Sequence, residues 1–113
     1  MPKLFSSALA AAVVFAGAAH AQDPGASQAQ DLTNCAGAVA AEANIDVLIY
    51  PRGASGEWAG LLGVILDQLN REEGVEGMTG RYAASAARSH WAEQPADQRQ
   101  AAVAACRARY APR

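Results

Sequence analysis

Beyond residue 21 the chain holds no lysine, a single histidine (His90) and two cysteines, Cys35 and Cys106. Each shortage excludes something. One histidine with two cysteines cannot furnish the ligands of the usual zinc site, and no CxxCH haem-attachment motif occurs, so neither a metal nor another cofactor is expected. No loop of alternating oxygen ligands resembles a calcium-binding EF-hand, and no internal repeat points to a solenoid. After the first 21 residues no apolar stretch approaches the length of a membrane span, so no stable membrane anchor is expected. Positive charge rests there on eight arginines against eleven acids, a net −3 for that part of the chain. That balance gives no general affinity for nucleic acid.

The long apolar run that does exist stands at the start. Lys3 supplies a positive beginning, Leu4 to Ala19 is short and alanine-rich, and Ala19-His20-Ala21 places small residues at both recognition positions of a signal peptidase. Residues 1–21 are therefore expected to be a signal peptide of bacterial style, leaving a periplasmic or secreted chain that begins at Gln22. Leu32-Thr33-Asn34-Cys35 is not a lipoprotein site, because asparagine occupies the position before the cysteine where a small residue is needed. In an oxidising compartment Cys35 and Cys106 are expected to pair as a disulfide. Closing a loop of about 70 residues is worth roughly 4 kcal/mol in the chain-entropy model, a large share of a small domain's stability of about 5–15 kcal/mol.

Residues 22–30 are polar, contain Pro24 and Gly25, and read as a flexible leader to a helical domain over 31–113. Four amphipathic segments follow. Asp31 or Thr33 can cap a first helix whose apolar positions include Leu32, Cys35, Val39, Ala43 and Val47; it must end before Pro51, and Ile45 to Tyr50 could equally be extended. Ser55 can cap a second helix carrying Trp58, Leu61, Leu62, Ile65 and Leu69, which stops at Gly74 with Val75 folding back. Thr79 can cap a third containing Tyr82, Ala83, Ala86, Ala87 and Trp91, with Met78 packing back on Ala83. Pro95 suits the first turn of a fourth, lined by Ala102, Val103, Cys106 and Tyr110. The fold expected is all-α, a small up-down-up-down four-helix bundle stapled by one disulfide. That path brings the start of the first helix and the end of the fourth to one end, where Cys35 and Cys106 fall.

Chemistry-bearing groups are sparse. Gly53-Ala54-Ser55-Gly56 falls short of a GxSxG nucleophile elbow by one spacer residue, and a helix cap and turn account for Ser55. Ser89 and His90 are adjacent on a helix and point about 100° apart, so they do not form a nucleophile–base pair. Glu72, Glu73 and Glu76, with Asp67, form the densest acidic group, read as a solvated helix end. Trp58 and Trp91 are expected to supply core bulk among alanine-rich helices. No catalytic residue is nominated, and the protein is expected not to be an enzyme. Charge divides unevenly: residues 22–77 hold two arginines and nine acids, residues 78–113 six arginines and two acids. Pairing between these halves within the molecule is expected.

The reading that follows is an interaction module that binds another envelope protein, of inhibitor or immunity type. In outline the chain is similar to the small periplasmic acid-stress chaperones, which are also helical, exported and built around one cysteine pair. That resemblance implies a stress chaperone as the alternative, although no motif of theirs is matched and the cysteines here stand further apart. A small hydrolase using Ser55 or the acidic group is the third reading, and its partners are missing from the sequence.

Overall fold

The computed structural model describes residues 24–111, and the expected signal peptide lies outside them. Among the described residues there are four helices: α1 (Pro24–Ala43), α2 (Glu57–Asn70), α3 (Met78–Ala92) and α4 (Ala96–Tyr110). α1 opens at Pro24, a position where the missing N–H has no helical partner to lose. The stretch read as a polar leader is thus largely helical, and Ala29 packs on the core. Asp31 and Thr33, read as caps, lie inside this helix.

α1 ends at Ala43, short of the proline. Asn44 takes a left-handed backbone conformation (φ 57°). The Ile45 N–H then donates to the Ala40 carbonyl at 2.9 Å and the Asn44 N–H to Ala41 at 3.4 Å, a Schellman ending with Ile45 buried behind it. Val47 to Tyr50 follow as turns, neither helix nor strand. Ser55 and Thr79 do not cap. The residues at those places are Gly56 and Gly77, both at positive φ (89° and 64°), with no side-chain cap bond. α2 ends at Asn70, and Gly74 (φ 91°) lies in the following turn, from which Val75 does fold back onto the core. Pro95 immediately precedes α4 as its N-cap residue.

α1 is the hub, with α2, α3 and α4 all packed on it. It buries Leu32, Cys35, Ala36, Ala38, Val39 and Ala40 completely. α2 adds Leu61, Leu62, Ile65, Leu66 and Leu69, and α4 adds Val103 and Cys106. α3 contributes Gly80 and Ala84 as its buried residues, while Tyr82 is 61% exposed. Small residues set that arrangement. A Cβ placed on Gly37 would stand 2.4 Å from the Ala87 Cβ, so α1 and α3 touch backbone to side chain with no room for a methyl group. The tryptophans stand at the edges of the core: Trp58 and Trp91 are half-buried.

α1 and α4 run antiparallel, as Cys35–Cys106, Asp31–Arg109 and Glu42–Arg99 show in order. The cysteine pair lies at disulfide distance, with Cα atoms 5.7 Å apart. Contacts between α1 and α3 join Asn34 with Trp91 and Gly37 with Ala87, and Arg88 reaches Asn44 just past the end of α1. Four helices packed on one another, with the cysteine pair joining the first to the last, make the expected small all-α bundle.

Candidate interaction groove

Val47 to Gly53 reach across the gap between α2 and α3, and two side chains hold them there. The Tyr50 hydroxyl donates to the Ala59 carbonyl at 2.7 Å, and its ring lies over Gly63, where a Cβ would approach the hydroxyl to 2.4 Å. From α3, Arg81 donates to the carbonyls of Val47 (3.1 Å) and Tyr50, with its guanidinium carbon 5.9 Å from the Tyr50 ring centroid. That distance allows a cation–π contact on top of the hydrogen bonds. Gly80 brings α3 close to the preceding turn, since a Cβ there would stand 2.8 Å from the Val75 carbonyl oxygen.

Beside this strap lies a groove of about 620 Å³. Leu66, Leu69 and Val75 form apolar parts of its lining, with Tyr50 and Met78 flanking them and Asp67 and Arg81 adding polar groups. The exposed large apolar side chains of the described residues, Leu48, Ile49, Met78 and Tyr82, all belong to the strap or to the first turns of α3. Met78 and Tyr82 are four apart and share a helix face. Asp67 pairs with Arg71 at 2.7 Å, both side chains largely in solvent. Glu76 accepts the Gly74 N–H at 3.2 Å; among the described residues, Glu72, Glu73 and Glu76 make no ion pair.

The other end of α1 is closed. Arg109 makes two hydrogen bonds of 3.1 Å to the Asp31 carboxylate and one of 3.2 Å to the Cys35 sulfur. The Tyr110 hydroxyl donates to Asp31 at 2.5 Å. Burial, and next the hydrogen bond to Asp31, push the Tyr110 phenol above its ordinary 10.0. At the α3–α4 corner Arg99 binds Glu42 at 2.8 Å, both about four-fifths buried, and reaches the carbonyls of Trp91 and Gln94. A smaller notch of about 160 Å³ lies between α2 and α4, where Arg107 covers the Trp58 ring at 4.4 Å and pairs with Glu57 at 2.9 Å. The expected pairing between the acidic and basic halves is therefore present in Glu42–Arg99, Glu57–Arg107 and Asp31–Arg109.

The residues weighed for chemistry remain apart. Ser55 is exposed in the turn before α2. His90 is exposed, edge-on to Trp91 at 5.5 Å, while the Ser89 hydroxyl turns back to the Ser85 carbonyl at 3.4 Å. Trp91 donates its indole N–H to Asn34 at 2.9 Å. Among the described residues no three acidic, histidine or cysteine side chains converge as metal ligands, and no helix is long and apolar enough to cross a membrane. Sequence reasoning missed the strap and Arg81. The usable signal was the Ile45–Tyr50 patch, too apolar for an idle loop, followed by Met78 and Tyr82 at helical spacing. Comparison with protein-family models, curated proteins and solved structures finds no match to this chain.

Proposed function

We propose that the chain is an exported, non-catalytic interaction module that binds another protein of the cell envelope, in the manner of an inhibitor or immunity protein. One observation carries this reading. Of the large apolar side chains exposed among the described residues, Leu48 and Ile49 lie on the strap, Met78 lines the α2–α3 groove, and Tyr82 stands one turn beyond Met78 on the same helix face. Scattered single hydrophobes need no explanation, whereas a patch gathered at one end of a small domain marks an interaction surface. Export is supported by the apolar, alanine-rich start of the chain and by the cysteine pair at disulfide distance.

The experiment is co-purification from the envelope with the tagged chain as bait, accompanied by intact-mass analysis of the exported protein. A single stoichiometric partner and an amino terminus at Gln22 are the expected results. Many unfolded clients recovered only at low pH would favour a stress chaperone and overturn the module. Retention of Met1 would overturn export.

A further inference from the structure

We infer that the α2–α3 groove is the seat of a cationic amphipathic segment of a partner protein, its apolar residues on Tyr50, Val75 and Met78 and its cations against the Glu72–Glu76 turn. The inference rests on the interaction-module reading and adds the surface and the chemistry of the partner. Three observations select this occupant. The acids Glu72, Glu73 and Glu76 crowd the turn whose Val75 and Gly77 line the groove, and no arginine among the described residues neutralises them. A partner's lysines or arginines would complete those charges, whereas an acidic partner would meet repulsion. The leading amides of α3 are already committed, Thr79 N–H to the Glu76 carbonyl at 3.3 Å and Gly80 N–H to Val75 at 3.1 Å, so they are not free to hold an anion.

Polarity along the groove follows from Arg81. Its guanidinium is bound to the Val47 and Tyr50 carbonyls at the strap, so positive charge stands at the strap and negative charge at the α2–α3 turn. The partner's cations therefore lie at the turn, and its apolar residues reach toward Tyr50. A second copy of this chain is a poor occupant. Arg99, Arg107 and Arg109 of its basic helix α4 are already paired with Glu42, Glu57 and Asp31.

The test uses the full disulfide-bonded chain, labelled for amide NMR, and two synthetic probes: an amphipathic helix of leucine and lysine about five turns long, and its counterpart of leucine and glutamate. The lysine probe should shift the amides of Gly63, Gly77 and Gly80, and the glutamate probe should bind at least about tenfold more weakly. Glu73→Lys combined with Glu76→Lys should weaken the lysine probe by about tenfold, and Met78→Gln by severalfold. Equal affinity for both probes, no shift at these glycines, or shifts centred on Gln100 and Ala104 in the α2–α4 notch would each overturn the assignment. Concentration-dependent shifts of the same glycines without probe would give the groove to a second copy and overturn it too. None of these failures touches the module reading, which stands or falls on recovery of a stoichiometric partner.

Discussion

The two ends of α1 are finished in opposite ways. Around Asp31 and Cys35 the chain spends a covalent link, a two-point arginine–carboxylate pair and a tyrosine hydroxyl on fastening the last helix to the first. Beyond Ala43 the fastening is made mostly by backbone carbonyls that accept from Tyr50 and Arg81, and large apolar side chains remain in solvent. A small domain has little stability to spare, and exposed apolar surface at one end contributes none. Locking the other end allows the groove end to stay open. The contrast predicts that substitutions at the closed end and along α1 are costly for the fold, whereas those at the groove are cheap for the fold and costly for binding.

The largest effect should come from Cys106→Ser. Opening a loop whose ends stand 71 positions apart removes about 4 kcal/mol in the entropy model, and the serine hydroxyl would also sit in a 2%-exposed position. Urea unfolding should show the midpoint lowered by a corresponding amount, with Arg109 losing a sulfur contact but keeping Asp31. A change below about 1 kcal/mol would mean that the closed end does not depend on its staple.

Gly37→Ala comes next, and it tests the hub. Alanine would favour helix by about 1 kcal/mol in an exposed position, yet here its Cβ would fall 2.4 Å from Ala87 and force α1 and α3 apart. A net loss of about 2 kcal/mol is expected by thermal or denaturant unfolding. A neutral or stabilised variant would show that α3 rides loosely on α1.

Much of this was legible in the sequence, and the misses share a cause. The buried faces of α2 and α4 follow from apolar spacing: Leu61, Leu62, Ile65 and Leu69, and Val103 and Cys106, are where periodicity puts them. The face of α3 does not, because alanine and glycine carry little hydropathy and its contact is decided by closeness. Ala87 meets Gly37 of α1, Gly80 meets Val75 and Leu69, and Ala84 is buried, while the larger Tyr82 turns outward. Ser55 and Thr79 are good caps by composition, but Gly56 and Gly77 enter the helices in conformations that only glycine takes easily, which moves each boundary away from the hydroxyl. The groove was the least legible part. It is made by Arg81 reaching carbonyls more than thirty positions away, and no local pattern encodes such a bond.

Tyr110→Phe should cost about 1 kcal/mol at neutral pH, the worth of one hydrogen bond to a partly exposed carboxylate. The pH dependence sharpens it. Because the folded phenol titrates above 10.0, the native state holds its proton more tightly than the unfolded chain does. That stabilisation is complete below the unfolded value and is lost as pH rises through the folded one, so stability should decline in the alkaline range. Phenylalanine at this position should remove that part of the decline. If wild type and variant lose stability in parallel above pH 10.0, the burial of Tyr110 and its bond to Asp31 do not hold the phenol protonated in the folded chain.

Met78→Gln should have the smallest effect on the fold and is for that reason the most informative at the open end. Its side chain is 44% exposed at the first position of α3, where neither a cap bond nor the helix interior depends on it. Glutamine keeps the length and the helix propensity, so the change in unfolding free energy should stay within about 0.5 kcal/mol. A loss of 2 kcal/mol or more, on the scale of a large-to-small substitution in a packed core, would mean that the groove wall is part of the core and that the two ends of α1 are built alike. With the fold unchanged, any loss of partner binding by this variant reads directly as the contribution of one side chain at the surface. That separation of binding from stability is available at the groove, where Met78 leaves the core untouched, and not at the closed end, where Cys35, Asp31 and Arg109 hold the helices together.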